Sequence, residues 1–250
     1  MFKRQGRRWI VLAVLTAVFV ILLFQMGWWE AALRTIFSRD DVLYPTASLI
    51  ALVGEHMKLV ALSSGLTVLI GVPLGIWVTR RSGQSFLPIV TDLTSLGQTF
   101  PPVAVLALAV PLFGFGLVPT VIALFLYGLL PVVRNTVAGL ASVSRETLEV
   151  AYGMGMGRLQ ALMLVELPLA VRVILAGVRI SVIINVGTAM IGAVIGAGGL
   201  GSPIIAGLVQ FNTAYVIEGA LPAAVIAILL DRFLGNIEKS LAFSPGERNG

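Results

Sequence analysis

The polar residues able to do chemistry in this sequence are few, and their types narrow what that chemistry is. There is no cysteine and a single histidine, His56, so a thiol nucleophile, a disulfide and a cysteine-ligated metal are all excluded. A metal centre needs three or four suitable ligands, and His56 reads instead as a polar residue near a membrane surface. No G-x-x-x-x-G-K-[ST] run occurs, so the chain lacks a phosphate loop of its own. Two sets of residues remain. In the stretch from Ser144 to Pro168, Ser144 can cap a helix, with Glu146 and Glu149 near the positive end of its dipole. Ala151, Gly153, Gly155 and Gly157 then allow a tight turn and close docking of another surface, and Pro168 can open the next helix, where no N–H is needed. The second set is stranded in apolar sequence. Gln98 and Thr99 precede Pro101-Pro102, where proline frees backbone carbonyls to face a cavity. Asn185 and Thr188, three residues apart, share one side of a helix. These four are candidate substrate-pathway residues, against the ordinary use of such groups as hydrogen-bonded fasteners between membrane helices.

The elements that position these residues follow from composition. Hydrophobic residues make up 58% of the 250, charged residues 12%, and mean hydropathy is +0.99. That leaves too little polar surface for a water-facing globule. In lipid every backbone polar group must be paired internally, which permits helices or a closed barrel, and long uninterrupted apolar runs favour helices. Trp9 to Gly27 follows a basic start and exceeds a signal-peptide core, so a retained first span is expected. Leu59 to Thr79 is the second. Leu93 to Val133 is long enough to cross twice, with the hairpin at Phe113 to Pro119. An uncharged run from Ser181 is broken at Gly196 to Pro203, after which Pro203 to Gln210 forms a short re-entrant helix, and Tyr215 to Leu230 is the last span. At about 20 residues per crossing this is an all-α polytopic bundle of about six spans.

Charge sets the expected orientation. With the N-terminus cytoplasmic, Arg80, Arg81, Arg134, Arg145, Arg158, Arg232, Lys239 and Arg248 share that side, while Arg34, Arg39 and Lys58 lie outside among Glu30, Asp40, Asp41 and Glu55. Both termini are then cytoplasmic. The net charge of +5 reflects topology and not a nucleic-acid site, because the basic residues are dispersed. Trp9, Trp28, Trp29 and Trp77 fall near span ends as interfacial anchors. Arg179 would lie about 16 Å along a helix from Pro168; the preferred reading is that this helix begins well inside the cytoplasm.

The stretch Glu149-Val150-Ala151, then Gly155, then Val165, Leu167 and Pro168 resembles the EAA motif of binding-protein-dependent ABC importers, with its full spacing and two conservative apolar substitutions. Further segments, among them Gly97 to Pro102, Pro111 to Gly116, Tyr127 to Pro131 and Ile195 to Gly201, are similar to permeases of osmoprotectant importers, the Yeh-type in particular, over most of the chain after about Leu59. The resemblance implies a MetI-like type I importer permease, carrying glycine betaine, choline, carnitine or a related compound across the inner membrane by alternating access. It implies a non-catalytic subunit with no cofactor of its own, ATP and magnesium being bound by a partner ATPase. The implied partners are that ATPase, a second permease subunit alike or different, an external substrate-binding protein and the bilayer. Within this frame 144–168 is the coupling loop, with Glu149, Ala151, Tyr152, Gly153, Gly155, Gly157, Leu167 and Pro168 its ATPase-coupling residues. Residues 1–55 form an N-terminal span and outer loop, 56–241 the importer domain and 242–250 a cytoplasmic tail. The alternative is a secondary transporter of a small polar solute. That machinery needs acidic groups inside the membrane, whereas Glu30, Asp40, Asp41, Asp92, Glu146, Glu149 and Asp231 fall at or outside the span ends.

Overall fold

A computed structural model of the chain describes residues 2–241, with side chains from residue 6 onward. The expected tail 242–250, with Arg248, lies outside the described residues, as do the side chains of Lys3 and Arg4. Among the described residues there are helices and turns but no strand.

The first helix, α1 (Phe2–Phe24), is followed after Gln25 by α2 (Met26–Phe37). α3 (Leu49–Val78) starts where Ser48 is extended and its hydroxyl accepts the Ala51 N–H. That start precedes the expected Leu59, because the charged turn is satisfied within the bundle. Glu55 accepts the Gly199 N–H at 2.8 Å, and His56 is fully buried with Nε2 3.0 Å from the Val186 carbonyl oxygen. His56 is thus an interior residue and not a surface one, and the expected division between 55 and 56 falls inside α3.

α4 (Leu87–Thr99) and α5 (Pro102–Phe113) meet at 97°. The expected kink is a full elbow: Phe100 and Pro101 are both extended with ψ 135°, each preceding a proline, and Pro102 opens α5. Gly114 and Gly116, both with positive φ, then turn the chain into α6 (Leu117–Ala141). The loop beyond it carries α7 (Arg145–Gly153) and α8 (Arg158–Ala161). A π-turn at Leu162–Glu166 joins α8 to α9 (Leu167–Thr188), which tightens into 3₁₀ turns at Ala189–Ile195. After the glycine turn come α10 (Gly201–Val209), close to the short helix expected there, and α11 (Thr213–Ser240).

Among the described residues five helical stretches are long and apolar enough to cross a membrane, and the bent α4–α5 pair makes a sixth if it is one span. α6 is the central post, with α3 and α9 as its main neighbours. The helices meet closely: a Cβ on Gly75 would stand 2.6 Å from Thr136 Cβ, and one on Gly177 2.6 Å from the Pro131 carbonyl oxygen. α9 is flanked by α11, which also carries α10 and α1. Leu52, Leu59, Leu124, Val186, Leu200 and Ala223 form the main apolar core. α1 stays at the margin, with only 11% of its apolar window buried.

Candidate functional site

The α7 turn is built almost entirely from local backbone chemistry. Ser144 is extended (φ −65°, ψ 147°) and its hydroxyl accepts the Thr147 N–H at 3.2 Å, the expected cap. Hydrogen bonds from its own backbone N–H and from the Ser144 hydroxyl hold the Glu146 carboxyl below the usual glutamate range. Glu149 pairs with Arg145 one turn earlier at 3.0 Å, both side chains exposed, a contact worth a few tenths of a kcal/mol. At the other end the Met156 N–H reaches back to the Ala151 carbonyl (3.2 Å) and the Gly155 N–H to that of Tyr152 (2.9 Å). Those two bonds define a Schellman motif, whose fifth residue must be left-handed, and Gly155 has φ 83°. No atom would lie within 4 Å of a Cβ at Gly155, so glycine is required there by the backbone and not by packing. Gly153 has open surroundings as well, and the Gly157 N–H donates to Gln160 Oε1 at 2.9 Å to start α8.

The side chains of this turn divide by face. Ala151 is buried, while Val150, Tyr152 and Met154 are exposed. A groove of about 360 Å³ lies on one flank, lined by Glu146, Val150, Met154 and Val165. A larger one of about 870 Å³ on the other runs between Arg80–Ser82 and the Tyr152, Met156 and Leu159 side of the turn. Leu167 packs with Leu140, Ala170 and Ile174, and Pro168 is exposed. Pro168 stands in the first turn of α9, where it was expected, although that helix does not start from a loop. The helical path begins at Arg158, and the π-turn, in which the Leu167 N–H bonds to the Leu162 carbonyl, accommodates the proline that a regular ladder would not.

Two ion pairs tie this loop to the bundle, and although Arg179 stands out in the sequence, neither pairing does. Glu166, 4% exposed, takes both ends of the Arg80 guanidinium at 2.8 and 2.7 Å. It joins the root of α9 to the end of α3. A carboxylate inside the apolar run Leu162 to Leu167 was the available signal, hidden because it occupies a spacer position of the motif. Further along α9, Arg179 is held by Asp231 of α11 through two bonds of 2.7 Å and by Glu238 at 3.4 Å. The helical stretch containing Arg179 runs from Arg158 to Ile195, 38 residues, longer than a single crossing needs.

The four polar candidates make separate contacts. Gln98 Nε2 donates to the Tyr127 carbonyl at 2.7 Å, clasping α4 to α6. Thr99 is exposed and its hydroxyl bonds to the Ser95 carbonyl. Asn185 is fully buried and donates to the Ser63 and Ser64 hydroxyls of α3 at 3.2 and 3.0 Å, while Thr188 is half-buried. Glu218, absent from the acids weighed above, is fully buried in α11 and accepts the Tyr44 N–H at 2.6 Å. It fastens the segment before α3 to α11. Among the described residues no group of three or more His, Asp or Glu could hold a metal ion.

Residues 71–243 match the model of the binding-protein-dependent transport system inner membrane component family. The chain belongs to that family. This permease is 40% identical over 218 residues, covering 87% of it and 89% of the relative, to the osmoprotectant import permease protein OsmY of Salmonella typhimurium. It is 38% identical over 202 residues, 80% of it and 88% of the relative, to the glycine betaine/carnitine/choline transport system permease protein OpuCB of Bacillus subtilis. Its fold matches the inward-facing MetNI methionine ABC transporter with a TM-score of 0.69 and 21% identity, over 78% of this chain and 96% of that one. The expected fold, a MetI-like type I importer permease, is therefore the one present. The permease is a multi-pass inner-membrane transporter subunit, and the resemblance read from the motif holds.

Proposed function

We propose that this permease moves a small osmoprotectant, glycine betaine, choline, carnitine or a related quaternary amine, by alternating access driven by ATP hydrolysis in a partner subunit. The observation that carries this reading is the α7 turn: a capped helix with exposed Val150, Tyr152 and Met154 between two grooves, rooted in α9 and clamped to α3. Its exposed apolar face is what an ATPase cleft would grip. A push on α7 passes through the π-turn into α9, through Arg80–Glu166 into α3 and through Arg179–Asp231 into α11. Those three helices then rock as one body against a second permease subunit. The relatives' printed substrates support the choice of cargo. With the tryptophans placed as interfacial anchors and not as a cage for an ammonium group, selectivity falls mainly to an external binding protein. Both termini are assigned to the cytoplasm, on the α7 side. Residues 144–168 act as the coupling loop, through Glu149, Ala151, Tyr152, Gly153, Gly155 and Gly157 at the turn and Leu167 and Pro168 at its root. Of the pathway candidates, Thr99, Thr188 and Gln98 keep accessible surface, Gln98 while clasping α4 to α6, whereas Asn185 is a buried fastener.

The test is substrate-stimulated ATP hydrolysis by the complex reconstituted with its ATPase and binding protein. Gly155→Val is expected to abolish stimulation while the complex still assembles. Uptake that persists without any ATPase would instead establish a secondary transporter.

A further inference from the structure

α1 stands off from the bundle, and the space it leaves has two contrasting parts. Near the start of α1 a cleft of about 550 Å³ opens between α1, α9 and α11. Its cations are Arg7, Arg8, Arg179, Arg232 and Lys239, and the one carboxylate on its wall is Asp231. That carboxylate is already engaged by Arg179 through two bonds. Four cations therefore share a concave surface with no acid of its lining left for them. Leu12, on the wall of this cleft, also lines an apolar groove of about 320 Å³ that continues along α1 between α3 and α11, past Phe19, Leu23, Met57 and Ile226. Trp9, about one turn before Leu12 on α1, is edge-on to Phe233, which lines the groove, with ring centres 5.9 Å apart. Tryptophan favours the head-group level of a bilayer, which sets the cationic cleft at the surface and the groove at acyl-chain depth.

We propose that this slot binds an anionic phospholipid, its phosphate among Arg8, Arg232 and Lys239 and an acyl chain along the groove between α1 and α11. Basic pockets between spans attract acidic head groups, and a zwitterionic lipid would bring its amine against the same cations. A free phosphate would meet the charge, but the contiguous apolar groove has a use only for a chain. The lipid supplies packing that α1 lacks, since little of that helix is buried against protein. This site is separate from the α7 turn and does not depend on the transport reading.

The full chain, purified in mild detergent with whatever partners remain attached, is titrated with phosphatidylglycerol or phosphatidylcholine of identical chains, and bound lipid is counted by native mass spectrometry. Phosphatidylglycerol is expected to be retained about tenfold more strongly, the scale of one or two cations acting on a membrane charge. The triple variant Arg8→Gln, Arg232→Gln, Lys239→Gln is expected to lose that preference. Thr16 lines the groove from an exposed position, so Thr16→Trp obstructs it and leaves every charge in place, which keeps the test open if the triple variant does not fold. It is expected to weaken phosphatidylglycerol retention, and glycerol 3-phosphate is expected not to compete. Equal retention of the two lipids, an undiminished preference in the triple variant, retention unaffected by Thr16→Trp, competition by glycerol 3-phosphate, or a second protein chain crosslinked into the groove from position 16 would each overturn the proposal.

Discussion

The α7 turn is held by its own backbone, whereas the seam where α3, α6 and α9 meet is held by side chains from distant parts of the chain. In the turn, the cap at Ser144 and the reversal at Gly155 involve partners within five residues. In the seam, Asn185 reaches Ser63 and Ser64 and His56 reaches Val186, and on its flank Gln98 of α4 reaches Tyr127. The consequence is a division of labour. A segment that satisfies its own backbone can leave Val150, Tyr152 and Met154 exposed for a partner, while the seam consumes its polar groups in joining helices. The polar residues easiest to notice in a membrane sequence are thus not the ones free to meet a partner or a solute.

The largest test of this contrast is at the anchor between the two regions. Arg80→Ala leaves the buried Glu166 carboxylate without its guanidinium, and about 3 kcal/mol of stability is expected to be lost. Thermal unfolding of the purified permease measures it, and the double variant with Glu166→Ala should recover most of the loss. An unchanged melting temperature in Arg80→Ala would mean the clamp carries no force. Gly155→Ala comes next, costing about 1–2 kcal/mol locally because its φ is left-handed. Stimulated ATP hydrolysis should fall while the melting temperature of the bundle holds, so a bundle that melts early would show the turn to be less autonomous than its bonds suggest. Asn185→Ala removes two interhelical bonds and is expected to cost about 1 kcal/mol, with the transport KM unchanged. A selective rise in KM would move Asn185 from the seam to the pathway. Smallest is the effect of acid on α7. The Glu146 carboxyl is held below its ordinary range, so its contribution is complete above that range, near pH 4.3 for an unperturbed glutamate, and fades as pH falls through the lower folded value. Protection of the Thr147 and Leu148 amides, taken relative to intrinsic exchange at each pH, should fall there, and not in Glu146→Gln.

The same division explains what was legible in the sequence. Hydropathy marked the long apolar helices, five or six of them, and the cap, the turn glycine and the motif spacing marked α7, because each is decided within a few residues. The start of α3 was misjudged because Glu55 and His56 find their partners, Gly199 and Val186, far along the chain. Glu166 and Glu218 were passed over for the same reason, their partners Arg80 and Tyr44 being remote. Pro101-Pro102 announced a break, but the 97° between α4 and α5 depends on what the two arms pack against.

The π-turn at Leu162–Glu166 carries one residue more per turn than the helices on either side. An α-helix advances about 100° per residue. Deleting a single residue from that segment would let the ladder close in regular phase and swing the α7 face by roughly that angle about the axis of α9. The compass bearing at which the permease presents its docking helix is therefore written in one surplus residue, and the length of this short segment is a tighter constraint than the identity of most of its side chains.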